Sequence, residues 1–352
     1  MFAIREASPR SQLKYGLWAV RVDLQKAGAA GKPERLAQCT DFEPREMTFT
    51  EDGKRLAFLK QHIWEDVYLG ELGPDGASMK PPRRFTLDNR GSYASGWTRD
   101  SKALLFFSLR NGKDVEVFKQ GLNDSVAETI VEGPGAVGSA RLSPDGSWML
   151  YVESDHRAPG APPSPERLMR RPVAAGSPEM VLEQPAVDYR CPVKPSSPCV
   201  LGQKEGKQEV FYALDPVRGR GDRLGTIEVG DDYNWGISPD GSRLALIDQQ
   251  KYTGRIESLI LSDGTWHEIS MEPGWGRLQS ISGAANGKGF FVTSVLPDSY
   301  NLLYVTLAGK VKPLVRNGRR QWMISPWASP DGKWLAFQAQ TWDSNVWMLE
   351  NF

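Results

Sequence analysis

At 352 residues the chain exceeds the usual length of one globular domain, a length that repeat architectures tolerate because each unit packs only on its neighbours. Its 43 basic and 43 acidic residues cancel, so no global field directs it to nucleic acid or an anionic membrane. Three cysteines are too few for a disulfide framework, and no apolar run reaches the roughly 18 residues of a membrane-spanning helix.

In chain order, residues 1–6 lack the basic-then-apolar layout of a secretory leader and read as the middle of a structural unit. The chain is therefore expected to be truncated at its N terminus. Segments 2–6, 17–24 and 34–38 read as strands of a blade that lacks only its innermost strand, and 34–38 is expected to pair with the last blade and close a ring.

A repeated turn follows. It occurs as Thr50-Glu51-Asp52-Gly53, Thr98-Arg99-Asp100-Ser101, Ser143-Pro144-Asp145-Gly146, Ser238-Pro239-Asp240-Gly241 and Ser329-Pro330-Asp331-Gly332, with worn copies at Lys194-Pro195-Ser196-Ser197 and Ala284-Ala285-Asn286-Gly287. From one Asp-equivalent position to the next the spacings are 48, 45, 51, 44, 46 and 45 residues, the length of a four-stranded propeller blade. Pro presets φ, Asp caps the turn, and Gly accepts the left-handed conformation, so each anchor joins two antiparallel strands.

An apolar strand comes after each anchor, as at 55–59, 103–107, 148–152, 243–247 and 334–338. Third strands are expected at 67–69, 115–118, 210–213, 302–305 and 345–348, and weaker outer strands at 84–87, 179–182 and 312–315. No segment sustains a 3.6-residue period, so helix content is expected to be very low. The fold class predicted is all-β, a β-propeller of about seven four-stranded blades spanning 1–352 as a single domain, the alternative being eight blades with one incomplete. The insert 157–165 carries four prolines and reads as an extended loop. Cys191 and Cys199 flank a Pro-rich turn, where they can meet as a local disulfide or stay as two buried thiols.

The Ser-Pro-Asp-Gly unit with its following apolar strand resembles that of TolB-like, WD-repeat-like bacterial propellers over essentially the whole chain. A narrower likeness lies in Cys191 to Cys199, in Gly206-Lys-Gln with the following Val210-Phe211, in Tyr233-Asn-Trp before Ser238-Pro-Asp-Gly241, and in the ending Ser344-Asn-Val-Trp-Met-Leu-Glu-Asn-Phe352. These are similar to propellers that follow a Ser/Thr kinase or winged-helix DNA-binding domain in bacterial regulators. No kinase glycine loop, His-Arg-Asp loop or helix-turn-helix precedes them here, so the resemblance implies a sensory or scaffolding part, and kinase or DNA-binding activity does not carry over.

No catalytic constellation is found. Gly-x-Ser-x-Gly is absent, and the three histidines, His62, His156 and His267, fall in different repeats without metal-ligand spacing. No catalytic residue, cofactor or metal is therefore expected, and the chain is predicted to be a non-enzyme. The alternative function is the propeller half of a prolyl oligopeptidase-like serine hydrolase, separated from its catalytic domain.

The loops from each outer strand to the next inner one are expected to build a binding face around the channel mouth. That face would draw on Glu43, Arg45, Tyr93, Tyr189, Arg190, Tyr233, Arg277, Gln279, Gln321 and Trp322, because Tyr, Trp and Arg favour binding hot spots. The expected partner is a protein or peptide, with no direct nucleic-acid contact, no membrane insertion and a monomeric state. The sequence leaves the compartment open between the cytoplasm and, behind a membrane helix, the far side of a membrane.

Overall fold

The structure is a computed structural model that describes all residues except 1, 7–13, 24, 26–27, 41, 53, 89, 112–113, 156–163, 251–252, 319–320 and 351–352. Most of the proline-rich insert and His156 lie outside the described residues. The chain is all-β, a β-propeller with seven antiparallel sheets of three to five strands and one separate two-stranded ribbon among the described residues. No helix occurs among the described residues.

Two compact units divide it: 1–64 with 340–352, and 65–339. In the larger unit, blade 1 is Ser92–Trp97, Ala103–Ser108, Glu116–Gly121 and Glu128–Val131. Blade 2 is Ala136–Leu142, Trp148–Ser154, Glu166–Pro172 and Glu179–Gln184. Blade 3 is Asp188–Arg190, Cys199–Glu205, Gln208–Asp215 and Gly219–Glu228, and blade 4 is Tyr233–Ile237, Arg243–Asp248, Arg255–Ile260 and Thr265–Ser270. Blade 5 is Arg277–Gly283, Gly289–Val295, Ser299–Thr306 and Val311–Gly318. Blade 6 combines Gln321–Ala328, residues 334–339, residues 65–71 and Arg83–Arg84.

Neighbouring blades bury their apolar faces on one another, and the resulting clusters trace a closed ring. Val117 and Val131 pack on Val137 and Tyr151, Leu150 and Leu168 on Leu201 and Leu214, and Val200 and Phe211 on Trp235 and Leu244. Ile247 and Ile256 then meet Ile281 and Phe290, Phe291 and Leu302 meet Leu335 and Phe337, and Val67 and Leu69 return to Leu104 and Phe106. Strands apolar on both faces are what such a ring requires, since each sheet is covered on both sides.

The anchors behave as their chemistry dictates. In blade 2 the Ser143 hydroxyl donates to Asp145 Oδ1 at 2.5 Å and accepts the Trp148 N–H at 3.0 Å, while Gly146 takes φ +76° and its N–H reaches the Ser143 carbonyl at 2.8 Å. The Ser238 and Ser329 anchors repeat this pattern, with both Ser-to-Asp bonds at 2.6 Å. Both worn copies keep the turn bond, Ser197 N–H to Lys194 carbonyl at 3.1 Å and Gly287 N–H to Ala284 carbonyl at 2.9 Å.

In the smaller unit, Lys14–Ala19 pairs with Phe2–Glu6 and Glu34–Thr40 to form a three-stranded sheet. Glu43–Phe49 pairs along 56–61, and Leu17, Leu56 and Phe58 form this unit's buried core. Two expectations are corrected here. Residues 34–38 do not close the ring, because they pair with Lys14–Ala19; residues 65–71 close it beside 334–339, held by Leu72 N–H to the Lys333 carbonyl at 2.8 Å. In addition, 55–59 and 67–69 are not two strands of one blade but parts of one 17-residue strand, Arg55–Glu71. The intervening residues 60–66 contain neither Gly nor Pro, so nothing turns the chain. The same holds for Trp334–Glu350, which joins the runs expected at 334–338 and 345–348.

Candidate functional site

The inner strands of blades 1, 2 and 5 carry bulges, and the one in blade 2 shapes the centre of the ring. Between Gly138 and Arg141 the register shifts, and Ser139 is held at φ +53°. A non-glycine residue in the left-handed region is strained, and bulges of this kind re-aim side chains. The Ser139 carbonyl accepts the Tyr189 hydroxyl at 2.6 Å and Arg141 Nη1 at 3.0 Å.

Arg141 is 7% exposed, with its guanidinium 5.0 Å from the Tyr189 ring centroid and 4.7 Å from that of Trp327. Its Nε has no acceptor. Burial, then the repulsion of Arg190, lowers its pKa to about 10, which leaves it a cation at neutral pH. Arg190 stacks 4.7 Å from Trp235 and 5.7 Å from Trp327, pairs with Asp188, and donates to the Tyr189 carbonyl at 2.9 Å. Asp188 in turn accepts the Trp235 indole N–H at 2.6 Å. The result is a set of stacked rings and guanidiniums drawn from blades 2, 3, 4 and 6.

Next to it, the buried Glu209 accepts the Tyr233 hydroxyl at 2.6 Å. Burial pushes this carboxyl up to about 7, with Asp188 adding to the rise and the Tyr233 bond opposing it. Burial also lifts the Tyr189 hydroxyl to about 12 and, ahead of the Glu209 contact, raises that of Tyr233.

A cavity of about 90 Å³ opens where the anchor turns converge, lined by Arg99, Arg141, Pro144, Pro192, Trp327 and Pro330 among others. The turns are tied together around it. Arg99 donates to the Pro144 carbonyl and, at 3.1 Å, to that of Val193, and the Asp331 N–H reaches Ser101 Oγ at 3.0 Å. Cys191 and Cys199 are joined by a disulfide, and Cys191 forms part of the cavity wall.

Of the residues expected at a channel-mouth face, Tyr189 and Arg190 meet at the ring centre, and Tyr233 joins them through Glu209. Tyr189 is 1% exposed, so it supports the site from behind instead of presenting a contact surface. Tyr93 stacks 5.0 Å from Phe107 and bonds to Glu65, Arg277 faces the Gln279 amide, and Gln321 accepts from Asn317 at 2.9 Å. Trp322 is half-buried on the inner strand of blade 6, while Arg45 is exposed in the smaller unit. The sequence missed Arg141, Trp235, Trp327, Asp188 and Glu209. A signal existed for Arg141, a lone cation in an inner strand, and for Arg99, which stands where three other anchors carry Pro before Asp. No group of three or more His, Cys, Asp or Glu among the described residues is placed to hold a metal.

A closed ring of antiparallel four-stranded blades, each facing its neighbours, defines a β-propeller. Among solved structures it is similar to a putative TolB from Agrobacterium tumefaciens at TM-score 0.58 and 15% identity, over 79% of this chain and 98% of that one. It is also similar to TolB from Acinetobacter baumannii at TM-score 0.52 and 13% identity, over 97% of this chain and 81% of that one. A chain from a nidogen/laminin complex matches at TM-score 0.50 and 14% identity, over 72% of this chain and 92% of that one. These likenesses are of fold, a TolB-like propeller. No protein-family profile matches the sequence, and neither does any curated protein.

Proposed function

We propose that the chain is a non-catalytic binding or scaffold module, which takes a protein or peptide partner at the centre of the ring of the larger unit. It would serve as the sensory or interaction part of a bacterial signalling or transcriptional regulator. The observation that carries this reading is the convergence of Arg141, Arg190, Trp235 and Trp327 from four blades on one point. Stacked Trp and Arg groups are the side chains from which protein-binding hot spots are built, and no single blade can assemble them. The regulatory context rests on the resemblance of the 191–241 and 344–352 segments to propellers of such proteins.

The test is recovery of partners from cells with the intact protein and with Arg190→Ala and Tyr233→Ala variants. A partner lost from both variants, while each still unfolds in one cooperative transition, is the expected result. Recovery of the same partners at the same yield would remove the reading.

A further inference from the structure

The cavity at the anchor turns is cationic, and Asp188, the carboxylate that attracts Arg141, is already paired with Arg190. The cavity's ionisable lining residues are Arg99 and Arg141, and no Asp or Glu is among them. Arg99 spends its guanidinium on two backbone carbonyls, which have no net charge to offset it. Arg141 donates to the Ser139 carbonyl and meets the Tyr189 hydroxyl, and its Nε is without an acceptor. The Trp327 indole, whose ring stacks on Arg141, has an N–H that is also without one. Two buried donors thus lack acceptors on residues that line a chamber of about 90 Å³, room enough for several water molecules or one small polar group. Apart from these groups the walls include Trp97, Leu142, Pro144, Pro192, Val193 and Pro330.

A buried cation costs free energy unless paired, and a guanidinium's planar fork fits a carboxylate in two parallel hydrogen bonds. We infer that this cavity is a carboxylate-binding site, in which Arg141 and the Trp327 N–H hold the carboxylate of an acidic side chain, a peptide C terminus or a small organic acid. The inference deepens the proposed function, since Arg141 and Trp327 also belong to the ring-centre cluster. The mostly apolar walls disfavour a fully hydrated dianion such as phosphate, which must give up more hydration than a monoanionic carboxylate.

The test is a titration of the whole chain, followed by tryptophan fluorescence, with acetate, succinate, an amide-capped peptide containing one Glu, and one peptide made as its C-terminal acid and as its amide. Chloride and inorganic phosphate at matched ionic strength are the controls. Saturable binding of at least one carboxylate probe is expected, weakened at least about tenfold in Arg141→Gln. Trp327→Phe, which keeps the ring and removes the N–H, is expected to weaken it several-fold with no change in melting temperature, and it decides the matter if Arg141→Gln fails to fold. Binding of the peptide acid but not its amide assigns the site to a chain end, binding of the capped Glu peptide to a side chain, and binding of succinate or acetate alone to a small acid.

No saturable response to any carboxylate, an equal or stronger response to phosphate, or unchanged affinity in the variants would overturn the inference. Small-acid binding without any partner recovered would leave it standing and remove the partner reading. The converse result would remove this inference alone.

Discussion

Glu209 makes the stability of the larger unit depend on pH in a direction opposite to that of most carboxylates. Its carboxyl lies buried on the third strand of blade 3, bonded to the Tyr233 hydroxyl, with Asp188, Lys204 and Arg190 as its charged neighbours. Burial carries it from 4.5 to about 7, so in the folded protein it holds a proton that the unfolded chain has already released. The stability this contributes is fully present below pH 4.5 and is lost as pH rises through 7. At about 1.4 kcal/mol for each pH unit separating the two values, the loss amounts to about 3 kcal/mol by pH 8. Glu209→Gln keeps an acceptor for Tyr233 and removes the titration. Denaturant unfolding of both proteins at pH 4.5, 6, 7 and 8 should therefore show the wild type losing about 3 kcal/mol more than the variant across the range, most of it between pH 5 and 7. Subtracting the variant cancels the titrating groups that do not interact with Glu209. Parallel pH curves, or a wild type that gains on the variant as pH rises, would refute the reasoning.

Reduction of the Cys191–Cys199 bridge, which closes a loop of sequence separation 8, should lower stability by about 2 kcal/mol, measured as a shift of the unfolding midpoint in dithiothreitol and matched by Cys199→Ala. A Cβ added at Gly236 would stand 2.6 Å from the Ile281 carbonyl oxygen and 2.9 Å from Ser282 Cα, both backbone atoms of the next blade. Gly236→Ala should therefore cost about 1–3 kcal/mol by forcing blades 4 and 5 apart, whereas Gly318→Ala, with open space around its Cβ, should change the melting temperature little.

The repeat was legible because the chemistry of the anchor is local. A Ser hydroxyl that must bond both an Asp two residues on and a backbone N–H five residues on leaves a recognisable word at each blade. Strand continuity was not legible in the same way. The apolar runs at 55–59 and 67–69 look like separate strands because 60–66 carries Lys, Gln, His, Glu and Asp, yet polar residues do not bend a strand when no turn former accompanies them. What places 65–71 in the ring is the spacing of Val67 and Leu69, which join Ala336 of their own blade and Phe106 of blade 1 in one buried cluster, a contact no local pattern announces.

The candidate site was hidden for a related reason: its residues stand out only as a set. Trp235, Trp327, Arg141 and Arg190 each read as ordinary members of an aromatic-rich propeller, and the bulge at Ser139 that aims Arg141 leaves no mark in the sequence. Arg99 is the exception. Pro144, Pro239 and Pro330 fill the same turn position and preset its backbone, an advantage that Arg99 gives up. In exchange its guanidinium ties the turns of blades 2 and 3 to that of blade 1 and adds a second cation to the cavity wall. A repeat is under the same folding demand at every copy, so a departure that the turn itself does not need points to a demand made by the ring as a whole. The anchor at Arg99 is therefore where the geometry common to all blades gives way to the chemistry particular to this ring.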